Sequence, residues 1–442
     1  MASGELCVLK RTRAIVGAIP FWRWALYADG ALGGIYAVLV GGAVLTGLVL
    51  WAGGGAFELG VLSALTTGGG LLVVLTRRLQ RRLGSHKRMT RLSWTLARAV
   101  WLPLVFVLAS TAFGHETGLK PVVLPLLFLT VFLSAAFAGI GNVTWFGWCA
   151  ELVPASERGG FLATRAQWVS FASLVTFPVI GWLFNQTHAR QVDSLGFAAA
   201  LALSGIAAVI GWAILGRVPT LIPATPNAQL IKKSAPHGSV SAPRLAVYTV
   251  VFQVAVYFSA PFMQAWALDR LGLSLGTLLS LQVIAQIVPI LTLGLWGKLV
   301  DRIGLRLPLG VCSLLKAVVP LCYIVSTPTA WWPLIFTYVT SFLDAGILVA
   351  TNAAYASLAG ERNGNAQVIH LNILTSIAAS VTPLVVGYLV GHLTIGTIDL
   401  LAVMFVISAV GRGLSGIVLL VPERPRPLRR RPPSLRATPG VG

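Results

Sequence analysis

Apolar runs of about twenty residues follow one another from residue 25 to residue 421, and short stretches between them collect glycine, proline and charge. A helix of about 20 residues crosses the roughly 30 Å hydrocarbon core of a bilayer, whereas a barrel strand needs only about 10. No water reaches the backbone in that core, so each run must satisfy its own N–H and C=O groups, and a helix does so. Twelve runs can be placed, near 25–51, 57–76, 92–113, 121–150, 160–185, 195–216, 245–267, 274–296, 307–326, 331–357, 365–390 and 397–421. The chain is therefore expected to be an all-α integral membrane protein. Composition agrees: 56% of its 442 residues are hydrophobic and 10% are charged, too few charges to cover a soluble domain of this size.

The basic residues fall on one side of this layout. The amino-terminal segment, the 77–91 loop, Arg158, the 217–244 region, the 298–306 loop, Arg362 and the tail together hold 26 Lys and Arg, against Lys120, Arg190 and Arg270 on the other side. Basic loops stay in the cytoplasm, so both termini are expected there, which requires an even number of spans. The location expected is the cell inner (plasma) membrane, as a multi-pass protein. The net charge of +20 would suggest nucleic acid in a soluble chain. Here the asymmetry accounts for it, and the partner expected is anionic lipid at the cytoplasmic face, with no nucleic acid. The first run is too long for a cleaved signal peptide and lacks its small-residue cleavage site. The organisation expected is a cytoplasmic segment (1–24), a six-helix bundle (25–217), a cytoplasmic linker (218–244), a second six-helix bundle (245–421) and a basic disordered tail (422–442), in a monomer.

One loop is more specific than the helices around it. Gly297-Lys298-Leu299-Val300-Asp301-Arg302-Ile303-Gly304-Leu305-Arg306 sets an acid and three bases between two apolar runs. The 77–91 loop is an imperfect copy: with Gly84 on Gly304, Arg82 falls on Arg302, but Arg81 replaces Asp301. Two further stretches repeat about 200–220 residues apart. Arg98 before Pro103 matches Lys316 before Pro320. Glu157-Arg158 before Gly160 matches Glu361-Arg362 before Gly364, and the helix after each carries a proline and a glycine, Pro178 with Gly181 and Pro383 with Gly387. The decapeptide, its position and these repeats resemble the major facilitator superfamily. That resemblance implies two pseudo-symmetric six-helix bundles rocking about a midplane site to move a small solute. It also implies a conformational latch, in which Asp301 docks on the start of the fifth span and Arg302 and Arg306 reach Glu151 or Glu157 beside Arg158. Gly297 and Gly304 frame the latch.

Ionisable groups inside a span are costly and are functional candidates by default. Asp344, near the middle of the tenth span, is the sharpest, and Ser341, Thr351 and Tyr355 share its face. It either stays paired with Lys316 or Arg412, or exchanges a proton during transport. Asp29 near the cytoplasmic end of the first span is a second candidate. Arg98 and Lys316 are expected to snorkel to the headgroups. Asn142, Gln253, Tyr257, Gln282 and Gln286 are candidate substrate contacts, and Arg165 a candidate for an anionic group. Sparse polarity and aromatics such as Trp145, Trp148 and Trp168 favour an amphipathic or moderately hydrophobic solute. Cys7, Cys149, Cys312 and Cys322 form no CxxC pair, the six histidines are scattered and no Walker loop is present, so no metal, cofactor or enzymatic activity is expected. The alternative to a transporter is a receptor or scaffold of the same fold.

Overall fold

The computed structural model describes residues 21–112, 116–154, 157–218, 240–359, 364–393 and 399–421. It has twelve helical spans long and apolar enough to cross a membrane, and no strand among the described residues. We number them α1 (Phe21–Trp51), α2 (Ala56–Leu75), α3 (His86–Thr111), α4 (Lys120–Leu152), α5 (Gly160–Ala189), α6 (Asp193–Arg217), α7 (Ala242–Arg270), α8 (Leu275–Ile303), α9 (Arg306–Val325), α10 (Pro333–Tyr355), α11 (His370–His392) and α12 (Leu400–Leu420). The expected linker and tail lie almost wholly outside the described residues. Arg244, expected in the linker, instead sits in the first turn of α7 and donates from Nε to the carbonyl of Val418 at 2.7 Å.

Contacts sort the spans into two bundles. In the first, α1 packs on α5 and α6, and α4 on α2 and α3; in the second, α7 packs on α11 and α12, and α10 on α8 and α9. Several spans are broken rather than straight. α3 is interrupted at Val100–Trp101 and α9 at Lys316–Ala317, each just ahead of a proline, Pro103 and Pro320. A proline removes one helical hydrogen bond and frees a carbonyl four residues back. In α9 that carbonyl belongs to Lys316, and Arg412 Nη1 from α12 donates to it at 3.4 Å. The loop repeat survives as geometry too. Gly84 and Gly304 both end their helices with positive φ, +70° and +81°, a region that glycine enters at little cost.

The bundles meet through α2 on α11 and α5 on α8, and the closest approaches are made by glycine. A Cβ on Gly60 would lie 2.3 Å from the carbonyl of Pro383, one on Gly387 2.6 Å from that of Ala56, and one on Gly276 2.5 Å from that of Gly181. Pro178/Gly181 and Pro383/Gly387, noted as a repeated pair, thus belong to the two surfaces on which the halves touch. These contacts sit at the ends remote from the basic loops, as do Ser274 Oγ–Asn185 Oδ1 at 3.1 Å and Thr46 Oγ1–Gln264 Oε1 at 3.5 Å. Toward the basic face the halves diverge. A Cβ on Gly160, Gly294 or Gly297 would meet nothing within 4 Å, and Leu291 and Leu295 of α8 are 70% and 64% exposed. Among the described residues the halves are joined at the face remote from the basic loops, and no hydrogen bond or ion pair joins them at the basic face, which is open.

Overpacking a close approach should disturb this closure. Gly276→Val is expected to destabilise by about 1–3 kcal/mol and to raise reagent access to an outer-face cysteine placed at Leu275, measured by thermal unfolding and thiol labelling.

Candidate functional site

In each half a carboxylate inside a span is paired with a cation, and a second cation lies nearby. In the first half Asp29 of α1 is fully buried. Arg98 Nη1 of α3 donates to its Oδ1 at 3.2 Å, and Arg165 Nη2 of α5 lies 3.7 Å from Oδ2. In the second half Lys316 Nζ of α9 donates to Asp344 Oδ2 of α10 at 2.9 Å. Arg412 Nη2 of α12 donates to Ser259 Oγ at 2.9 Å. Snorkelling does not describe Arg98 and Lys316. Both are buried, 5% and 9% exposed, and each spends its charge on a carboxylate within its own bundle. A guanidinium held by a fully desolvated carboxylate has no reason to bend toward headgroups. Room is made for these groups: a Cβ on Gly211 of α6 would lie 2.4 Å from Arg98 Nη1, and one on Gly30 of α1 would lie 2.9 Å from Arg165 Cγ.

The two carboxylates differ in access. The Asp29 side chain is 0% exposed and that of Asp344 54%. At about 100° per residue, Asp344 shares an exposed stripe with Leu348 and Asn352. Phe342 and Gly346, on another side of the helix, pack on Trp296 of α8, and Ala350 and Ala354, facing inward, share a core with Leu245 and Tyr248 of α7. A half-exposed carboxylate at this depth is tolerable only on a water-filled cavity. Ser341, expected on that stripe, is buried instead, and Thr351 and Tyr355 flank it. On α4 the exposed stripe is Asn142, Phe146 and Ala150. It falls between Ser134, which bonds Tyr36 of α1 at 2.5 Å, and Gly139, which packs on Val73 of α2.

The remaining candidates are placed as follows. Gln253 and Tyr257 on α7, and Gln282 and Gln286 on α8, are half-buried and have no side-chain hydrogen bond among the described residues. Asn142 Oδ1 accepts from Trp94 Nε1 at 3.2 Å. The guanidinium of Arg165 lies over the Trp145 ring, 4.3 Å from its centroid, and 5.5 Å from that of Trp94. Trp94 was not singled out by sequence; its stacking on Trp145 and its seat against Gly141 are visible only in three dimensions.

The latch residues are not joined here. Asp301 and Arg302 are exposed, and among the described residues Asp301 has no ion pair. Arg306 does not reach Glu151 or Glu157. Its Nη2 donates to the Leu420 carbonyl at 2.7 Å, capping α12. Glu151 takes His86 Nδ1 at 2.5 Å and Glu157 takes Arg23, both inside the first half. Arg158 caps α4, its Nη2 donating to Ala150 at 2.7 Å. The geometric reason is the open basic face, which holds Asp301 away from α5.

The sequence profile of the Major Facilitator Superfamily matches residues 53–371 and 245–440. The chain belongs to this superfamily. No curated protein sequence matched. Among solved structures, the fold is similar to the inward-open xylose transporter XylE from E. coli (14% identity, TM-score 0.66, 91% of this chain and 96% of that one). It is also similar to the nucleoside transporter NupG (11%, 0.65, 90% and 99%) and to a bacterial homologue of the iron transporter ferroportin (14%, 0.65, 91% and 98%). At these identities the likeness concerns the fold, and it makes this a multi-pass membrane protein with the architecture of a superfamily transporter.

The contrast in access predicts a contrast in stability. Asp29→Asn leaves two guanidiniums in the bundle without a carboxylate and should cost about 3–5 kcal/mol, partly restored by adding Arg98→Gln. Asp344→Asn, on the half-exposed side chain, should cost clearly less. Thermal unfolding of the purified variants checks the ranking.

Proposed function

We propose that the protein is a secondary active transporter that moves a small amphipathic or moderately hydrophobic solute by rocking its two halves about a midplane cavity. The observation that carries this reading is the Lys316–Asp344 pair, a half-exposed carboxylate on the cavity stripe of a span. Neutralising Asp344 by a proton would free Lys316, and re-ionisation would restore the bond, so occupancy of this carboxylate and the state of the cavity are linked. The proposal couples transport to protons through Asp344. The xylose transporter, the nucleoside transporter and the homologue of an iron transporter that share this fold differ too much to name the solute here, but they support transport as the task. The half-buried Gln253, Tyr257, Gln282 and Gln286, with the amide N–H of Asn142, supply uncommitted polar groups for it.

The basic face completes the reading. On closure Asp301 would meet the start of α5, where unpaired N–H groups and the helix dipole favour an anion. A latch of about 1–2 kcal/mol biases a two-state equilibrium roughly tenfold. Arg81 stands where an acid would be needed in the first half, so the latch is one-sided. The surrounding arginines, among them Arg78, Arg81 and Arg82, suit anionic lipid at the cytoplasmic leaflet of the plasma or inner membrane.

Spin labels at the exposed positions Ala163 on α5 and Lys298 on α8 report the opening. Acidification should shift the distance distribution in the parent protein, and Asp344→Asn should remove that dependence. Asp301→Asn should shrink the closed population about tenfold at fixed pH; an unchanged ratio would sink the latch. Acid-driven uptake into vesicles, screened over a panel of solutes, tests transport itself. A folded protein that binds solutes but never moves them would point to a receptor.

A further inference from the structure

Charge in the first-half cluster does not balance. One carboxylate, Asp29, faces two guanidiniums, Arg98 and Arg165, and among the described residues no second acid touches either. Arg98 has the shorter bond, 3.2 Å, and Asp29 Oδ2 receives no hydrogen bond, because Arg165 stops at 3.7 Å. Arg165 Nε is itself buried without an acceptor. The surplus positive charge therefore belongs to Arg165, and its side chain retains 18% exposure. Its planar face is covered by Trp145 and Trp94, which directs its N–H groups edgewise.

A second donor sits on the same indole. An indole N–H only donates, so Asn142 must turn its oxygen to Trp94 Nε1, 3.2 Å away. That leaves Asn142 Nδ2 unused on an exposed residue of the α4 stripe. An arginine edge and an amide N–H, beside the exposed ring of Phe146, suit an acceptor-only group attached to an apolar body. Room for it is built in: Gly30 lets Arg165 cross α1, and Gly141 seats Trp94. One surplus charge fits one negative charge; a cation would be repelled, and a polyanion would remain unneutralised.

We propose that the transported solute is an amphipathic monoanion, a carboxylate on an aromatic or apolar body, whose charged end is bound by Arg165 and Asn142 and whose body lies along the exposed ring of Phe146, which stands edge-on to Trp145. This rests on the transporter reading for its purpose but not for its test. The purified full-length protein is titrated with 1-naphthoate, its neutral carboxamide and 1-naphthylmethylamine, following tryptophan fluorescence and calorimetry. Naphthoate is expected to bind about tenfold or more tighter than the carboxamide, with the amine weakest. Arg165→Gln should abolish that preference while Arg165→Lys keeps part of it. Asn142→Asp, which preserves the acceptor for Trp94 but places a negative charge beside the ligand, should weaken naphthoate about tenfold and leave the carboxamide nearly unchanged. Should Arg165→Gln fail to fold, the Asn142→Asp arm decides. Equal binding of all three probes, or a naphthoate preference that survives Arg165→Gln and Asn142→Asp, overturns the assignment. Naphthoate binding without flux in vesicles would instead condemn the transporter reading and leave the anion site standing.

Discussion

Everything in the interior of this protein depends on keeping charge paired where water is scarce. An isolated ion in such surroundings costs several kcal/mol, and removing one member of a buried pair is strongly destabilising. The pairing here is made within each half. Asp29 ties α1 to α3 and α5, and Asp344 ties α10 to α9, while Arg412 on α12 holds the carbonyl freed by the break in α9. Every ion pair among the described residues stays inside one bundle. What crosses between the halves, among the described residues, is glycine against backbone, apolar and aromatic packing such as Phe57 on Tyr388, and a few neutral hydrogen bonds. Each half is thereby stiffened by charge, and the seam between them carries none. Two bodies of that kind can rock without separating an ion pair.

The same chemistry yields two different groups because access differs. Asp29 is sealed by Arg98, Gly211 and Arg165 and acts as a structural counter-ion. Asp344 forms a shorter bond to its cation yet leaves half its surface open. Proximity of opposite charge is a poor guide to function on its own; the exposed fraction of the acid separates a sealed tie from a pair that solvent can reach.

Much of this was legible in the chain. Run length and composition specify twelve helices, because a bilayer leaves the backbone few options. The glycine of the 298–306 loop and its copy at Gly84 were readable because positive φ favours one residue type. The proline–glycine pairs in α5 and α11 were readable as a repeat, though not as the seam. Partnerships could not be read. Nothing in the spacing of Asp29, Arg98 and Arg165 says that they converge, since three separate spans bring them together. For the same reason Trp94 carries no signal, and nothing in the spacing says that Glu151 and Glu157 meet His86 and Arg23 in this state. Asp301 shows the further limit that a sequence does not say which state of a moving protein will be seen.

The internal pairing has a consequence for how the chain is made. Spans enter the membrane in order of synthesis, and in the first half the acid arrives early: Asp29 lies in α1, while Arg98 and Arg165 lie in α3 and α5. Until α3 follows, that carboxylate has no partner at its depth. In the second half the order is reversed, and Lys316 of α9 waits only for the next span, which delivers Asp344. The amino-terminal half must therefore be held together through at least three spans before α1 is settled, whereas α9 and α10 can settle as a pair.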